Sequence, residues 1–413
     1  MKIAFVTLGC KLNYAETSTY ERELLAAGCE AVSWTSGKAE AFLVNTCTVT
    51  ERSDSKSRGV IRKLHRLNPD APIYVTGCYA QLKKKEIEAL EGVKAVFGAS
   101  EKGLVVPSIL GHAEAVADTL EACFPAYSSG ERTRSFLKVQ DGCNNYCAYC
   151  TVPYARGESR NIPVAKAVAQ AGEIAALGYK EIVLTGVNTG DFGKTTGESF
   201  FDLIKALNDV EGIERYRISS IEPNLLTNEM VDWIASGTKF LPHFHIPLQS
   251  GCDKVLKEMG RHYDTEFFAR KIEYIRNAFE GPDKPKVFFG IDVIVGFPGE
   301  TDEDFEVTYR FLSERVKPAF IHIFPYSRRA GTPAAARKDQ VQDSVKTERV
   351  QRLEELCARL NDEFTEQNRG VREKVLFEST DRKGNMGGYT GNYILVTRPY
   401  DKKLVGQIVD VII

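Results

Sequence analysis

Short β-branched runs alternate with amphipathic stretches in two separate series, and that alternation restricts most of the chain to parallel sheets wrapped by helices. In the first series strands are expected at 2–7, 41–46 and 72–76, with helices over 14–27, 53–67 and 81–90. In the second, strands are expected at 136–140, 181–185, 215–220, 243–248, 289–295 and 319–324, again separated by helical stretches. Six such units are too few to close an eight-stranded barrel, so an open, partial one is expected. The polar stretch 126–134 reads as a linker. A charged amphipathic helix then leads into a tail with Gly387-Gly388 and β-rich runs such as Tyr393-Ile394-Leu395-Val396, which suggests a small β-barrel. The expected fold class is therefore α/β. It comprises an N-terminal parallel-sheet domain (1–125), the linker, a central partial (β/α)6 barrel (135–343), a connecting helix (344–370) and a C-terminal small β-barrel (371–413).

No apolar run approaches the ~18 residues that a membrane span requires, and the apolar start at 2–6 is too short for a signal peptide. These readings place the chain in the cytoplasm, away from membranes. Reducing conditions there disfavour disulfides, so the ten cysteines are read by their spacing. The sharpest pattern is Cys143-Asn144-Asn145-Tyr146-Cys147-Ala148-Tyr149-Cys150, a CxxxCxxC run directly after the first strand of the second series. Three thiolates on one loop can hold three irons of a 4Fe-4S cluster. The fourth iron, left open, can chelate the amino and carboxylate groups of S-adenosylmethionine (SAM); electron transfer then breaks the sulfonium bond to give a 5'-deoxyadenosyl radical. The alternatives are a zinc site or unligated core cysteines, and no nearby Cys or His completes the four ligands that structural zinc needs.

Cys10, Cys47 and Cys78 each follow a strand of the first series, within Leu8-Gly9-Cys10, Asn45-Thr46-Cys47 and Thr76-Gly77-Cys78. Loops at the carboxyl ends of parallel strands gather at one sheet edge, so these three can meet as a second cluster. The bland alternative is three small buried hydrophobes. Cys29, Cys123, Cys252 and Cys357 have no such partners and read as structural.

Barrel enzymes assemble their sites from loops at one end of the strands. Gly186 and Asn188, Ser220 and Glu222, Gln249, and Gly296 fall at predicted strand ends and are candidates to contact SAM, although a Gly-rich loop is often only a turn. The net charge of −2 provides no global basic field, so a nucleic-acid surface must come from local patches. Arg58, Arg62 and Arg66 recur every fourth residue and share a helix face after Cys47; Arg372 and Lys374 lie in the tail. Further basic groups are Arg328-Arg329, Arg369 and Arg382-Lys383, and Tyr389 and Tyr393 suit either base stacking or barrel packing.

The CxxxCxxC run on a partial barrel resembles the radical-SAM superfamily, a likeness that implies a place for Tyr149 beside the adenine of SAM. Two cysteine trios in this order resemble the methylthiotransferases within it, on Gly9-Cys10-Lys11-Leu12-Asn13, Asn45-Thr46-Cys47-Thr48-Val49-Thr50, Gly77-Cys78-Tyr79-Ala80-Gln81, Val152-Pro153-Tyr154-Ala155-Arg156-Gly157 and His245-Ile246-Pro247-Leu248-Gln249-Ser250-Gly251. The tail resembles the TRAM RNA-binding barrel, though at 371–413 it is short. The resemblance implies two 4Fe-4S clusters: a radical one on Cys143, Cys147 and Cys150, and an auxiliary one on Cys10, Cys47 and Cys78 that supplies or carries sulfur. It implies two SAM molecules, one for polar methyl transfer and one for the radical. The form around Cys10 resembles the branch that converts N6-threonylcarbamoyladenosine (t6A) at position 37 of tRNA to its 2-methylthio derivative. The isopentenyladenosine branch usually has Gly-Cys-Gln-Met-Asn there and the ribosomal-protein branch Gly-Cys-Pro-Lys-Asn. Methylthiolation of isopentenyladenosine-37 or of a ribosomal-protein aspartate, and an iron-sulfur RNA-binding or sensing protein without turnover, are the competing readings. The expected partners are the anticodon stem-loop of tRNA and a reductant such as flavodoxin or ferredoxin, with the chain a monomer.

Overall fold

The computed structural model describes residues 1–112, 123–130, 132–282, 284–382 and 384–413, with the backbone alone for 379–382. The Arg382 side chain and Lys383, named above as basic groups, lie outside the described residues.

The N-terminal part is a five-stranded parallel sheet in the order Glu30–Ala31, Lys2–Thr7, Ala41–Thr46, Ile73–Gly77, Val93–Val96. Ala41–Thr46 is buried along its whole length, as a central parallel strand covered on both faces must be. The helices Lys11–Ala26 and Glu51–Leu67 connect its strands, the second started by the Thr50 side chain, which accepts from the Ser53 amide. The helix expected over 81–90 is instead two short ones, Cys78–Leu82 and Lys84–Glu88, broken at Lys83, whose φ of −131° is not helical.

The central part has two parallel sheets that continue one another. Ser135–Lys138, Glu181–Thr185 and Arg215–Ile218 form the first; His243–Gln249, Phe288–Val295 and Phe320–Pro325 form the second. A bridge between Tyr216 and Phe240, and the Ile221 amide donating to the His245 carbonyl at 3.1 Å, join the two. The result is the expected six-stranded open barrel around one apolar core. Ala126–Tyr127, expected in the linker, is a buried strand antiparallel to Ser135–Lys138. It is fixed there because the Ser128 hydroxyl accepts from the Phe136 amide at 2.8 Å and Arg22 donates to the Tyr127 carbonyl at 2.8 Å.

The helix Asp343–Gln367 lies along Phe320–Pro325, with Cys357 accepting from the Ile321 amide at 3.2 Å. The tail is a four-stranded antiparallel sheet in the order Leu395–Pro399, Asn385–Tyr389, Arg372–Arg382, Ile408–Ile412. Buried Arg215 and Arg217 tether it to the barrel: both pair with Glu181, at 2.5 and 2.8 Å, and together they donate to the carbonyls of Lys374, Tyr389, Thr390 and Gly391. Among the described residues no helix is long and apolar enough to cross a membrane.

Candidate functional site

Each of the first three cysteines leaves the carboxyl end of a parallel strand, and the backbone there is shaped to bring them together. Gly9 and Gly77 adopt φ of +108° and +103°. A Cβ on Gly9 would stand 3.0 Å from Cys47 Sγ, and one on Gly77 would meet the Thr46 carbonyl oxygen at 2.3 Å. Only glycine allows so close an approach at that φ. Cys10 opens the helix Lys11–Ala26 and Cys78 the helix Cys78–Leu82, so both thiols sit at helix starts. Burial, with Cys10 adding to it, pushes the Cys47 thiol up, and burial pushes Cys78 up to about 11. Such thiols need a cationic partner to ionise.

The second trio lies on the loop after the strand Gln140–Asp141. Gly142, at φ +76°, lets the loop turn under Glu158, while the Cys143 amide donates to the Gly157 carbonyl and the Ala148 amide to that of Met259. The Cys150 amide donates to the Cys147 carbonyl at 3.0 Å, closing the turn that carries those two thiols. Burial, then the other thiols of the trio, pushes Cys143 and Cys150 up to about 11 and 12.

The two trios are joined by the helix Val152–Arg156, which packs against Cys78–Leu82 and delivers Arg156, 3% exposed, toward the first. Arg156 donates to Asn13 Oδ1 at 2.5 Å and to Asp141 Oδ1 at 2.8 Å, and it acts electrostatically on Cys10, Cys47 and Cys78. It belongs to a buried network in which Glu16 and Asp141 each face Lys102, Lys138 and Arg156 at 2.7–3.2 Å. Burial opposes ionisation of both carboxyls, but the three cations outweigh it and hold Glu16 and Asp141 well below the usual carboxylate range.

Around the second trio, Arg261 donates to Cys147 Sγ at 3.3 Å and forms an ion pair with Glu222. It also donates to the Tyr263 hydroxyl, which donates in turn to the Pro247 carbonyl at 2.5 Å, two residues before Gln249. Gln249 is left-handed at φ +71°, at an irregularity in the strand register. Tyr149 packs with the cluster of Met259, Ile294, Phe297 and Tyr326. Gly186 abuts Gln140, whose Oε1 accepts from the amides of Val187 and Asn188. The Ser220 carbonyl accepts from the Thr189 hydroxyl at 2.9 Å, so those two loops meet. Asn188 Oδ1 and Ser219 Oγ are buried without a hydrogen-bond partner, as polar atoms awaiting a ligand would be. Gly296, at φ +73°, donates its amide to Glu300 and lies against Lys346. The structure thus gathers Tyr149, Glu222 and the Gln249 turn about Cys147, and Gly186, Asn188 and Ser220 in adjoining loops.

The basic residues are more dispersed. Arg58 is partly exposed, and its guanidinium donates to the Tyr79 hydroxyl at 2.8 Å and to Glu86 at 3.1 Å. Arg62 and Arg66 are exposed on the same helix, and Arg372 and Lys374 are exposed on the tail sheet. Tyr389 and Tyr393 stack on one another, ring centres 4.6 Å apart.

A cavity of 1130 Å³ runs from Cys10 and Lys11 past Arg132, Arg217, His245 and His322 to Tyr389 and Tyr393. Within it His245 Nε2 lies 2.6 Å from Asp292 Oδ1, and the His322 ring stacks on that of His245 at 4.7 Å. Burial, reinforced by His245, pushes His322 down to about 4, which keeps it neutral at physiological pH. Sequence reasoning did not single out His322, Asp292 or the buried network. Three strands in register bring His245, Asp292 and His322 together, and that register is not visible in any one segment.

Both trios suit iron-sulfur clusters: all six thiols are free, each trio is backed by a guanidinium, and unpartnered Asn188 and Ser219 stand at the strand ends.

Comparison with known proteins adds kinship. Residues 137–312 match the Radical SAM superfamily, and residues 2–98 match a family described as Uncharacterized protein family UPF0004. The threonylcarbamoyladenosine tRNA methylthiotransferase MtaB of Bacillus subtilis is 40% identical over 99% of this chain and 93% of its own. That of Aquifex aeolicus is 37% identical over 100% of both. A tRNA-2-methylthio-N(6)-dimethylallyladenosine synthase of Carboxydothermus hydrogenoformans is 32% identical over 98% of this chain and 95% of its own. Among solved structures, a radical S-adenosylmethionine methyltransferase, TsrM, from Kitasatospora setae superposes with a TM-score of 0.58 at 14% identity, covering 81% of this chain and 77% of that one, a likeness of fold.

Proposed function

The chain belongs to the tRNA methylthiotransferases of the radical-SAM superfamily, and from that premise we propose that it places a methylthio group on C2 of t6A at position 37 of tRNA. Full-length kinship with relatives of that activity carries the reading. Its cofactors are SAM and two 4Fe-4S clusters. When bound, these supply a 5'-deoxyadenosyl radical and a transferable methylthio group.

Cys143, Cys147 and Cys150 hold the radical cluster, with Arg261 beside Cys147 offsetting its negative charge. Cys10, Cys47 and Cys78 hold the auxiliary cluster, with Arg156 in the same role. Asn188 Oδ1 accepts a hydrogen bond from SAM and the Ser219 hydroxyl donates one to it, and Tyr149, Gly186, Ser220, Glu222, Gln249 and Gly296 complete its pocket. The cavity receives the nucleoside, with aromatic side chains against the base. Arg58, Arg62, Arg66, Arg372 and Lys374 are the proposed phosphate contacts. The protein works as a cytoplasmic monomer, reduced by a flavodoxin or ferredoxin.

The test is nucleoside mass spectrometry of tRNA from cells with and without the gene. Loss of 2-methylthio-t6A on deletion is expected. Unchanged tRNA, with a methylthio group missing instead from a ribosomal protein, would overturn the reading.

A further inference from the structure

Lys11 stands where the first cysteine trio meets the cavity. It follows Cys10 directly, begins the helix Lys11–Ala26 and lines the 1130 Å³ cavity. The other deep cations on that wall are already matched: Arg134 with Glu378 at 2.6 Å, and Arg217 with Glu181 at 2.8 Å. Arg132 sits over the Tyr14 ring, 4.5 Å from its centre. Among the described residues no carboxylate forms an ion pair with Lys11; the acidic group acting on it from within the barrel, Asp292, is held by His245 at 2.6 Å. The cavity therefore carries beside Cys10 a positive charge that no carboxylate pairs among the described residues. Lys11 is exposed on that wall with no acidic partner, so a ligand that brings its own anion gains a charge-assisted hydrogen bond there that a neutral one does not.

We infer that Lys11 is a specificity-determining residue, whose ammonium pairs with the carboxylate on the N6 arm of the nucleoside. This inference rests on the proposed t6A substrate and adds to it the group that reads the arm. The threonyl carboxylate is ionised at neutral pH. A charge-assisted hydrogen bond to Lys11 discriminates against an arm that lacks the charge, since an isopentenyl chain would cover the ammonium without pairing it. The same contact turns the arm toward Cys10 and so fixes how the base lies against the first trio.

The test uses cluster-loaded enzyme and three anticodon stem-loop RNAs, carrying at position 37 t6A, its threonyl methyl ester, or N6-isopentenyladenosine. The ester keeps the shape and removes the charge. Wild-type enzyme is expected to show a KM for the ester about tenfold or more above that for the acid. In Lys11→Met that preference should vanish, and Lys11→Arg should restore part of it. Wild-type enzyme indifferent to esterification would overturn the inference without any variant, while leaving the t6A reading intact. A Lys11→Met enzyme that keeps the full preference for acid, or that weakens on acid and ester alike, would also overturn it. Wild-type enzyme inactive on the t6A stem-loop but active on the isopentenyl one would sink the substrate reading and this inference together.

Discussion

Arg156, on the helix that follows the second cysteine trio, donates at 2.5 Å to Oδ1 of Asn13, three residues past Cys10. One side chain thereby links the loop of each trio across the boundary between sheet and barrel. Its other partners, Glu16 and Asp141, lie one on each side of that boundary.

Replacing Arg156 with Met should uncouple the two parts. Removing one member of a buried charge network leaves the others uncompensated, at a cost of about 3–5 kcal/mol. Thermal unfolding of the variant should shift down accordingly. Iron content should fall toward that of one cluster, because the first trio loses its cation.

Acid should weaken the same junction. Glu16 and Asp141 have folded pKa values below their unfolded ones, so their contribution is complete above the ordinary carboxylate value of about 4.5 and is lost as pH falls toward the depressed folded values. Urea midpoints measured from neutral pH down to about pH 3 should fall in that window. Glu16→Gln should be less stable at neutral pH and show a shallower decline.

The two trios should be separable. Triple alanine replacement of Cys143, Cys147 and Cys150 should abolish 5'-deoxyadenosine formation while keeping about four of the eight irons expected from two clusters. Replacing Cys10, Cys47 and Cys78 should keep SAM cleavage and end methylthiolation. Iron assay and chromatography of the nucleoside products check both, and SAM cleavage unchanged in the first variant would refute the assignment.

Gly77→Ala should be among the more damaging single-methyl changes in the chain. The added Cβ would meet the Thr46 carbonyl at 2.3 Å in a backbone conformation that alanine resists. A loss of about 2 kcal/mol or more in denaturant stability is expected, with a matching loss of iron.

Where each element depends on its own residues, its outline was legible in the sequence. The strands Lys2–Thr7, Ala41–Thr46 and Glu181–Thr185 coincide with their β-branched runs, because a buried parallel strand has little freedom in composition. The six cysteines stood out by spacing for a similar reason. Legibility failed where the determining partner lies far along the chain. Ala126–Tyr127 reads as linker until Arg22 and Ser135–Lys138 fold beside it. Arg156 looks like one cation in a short motif until Glu16, 140 residues away, is placed against it. Asp292 and His322 face one another only through the register of neighbouring strands.

The cavity wall begins at Thr7 and ends at Leu395. A nascent polypeptide can therefore finish its sheet and barrel while the chamber still lacks the side that Tyr389, Tyr393, Ile394 and Leu395 provide. A chain cut just before Tyr389 would retain every cysteine and yet lack that side of the chamber beside Cys10.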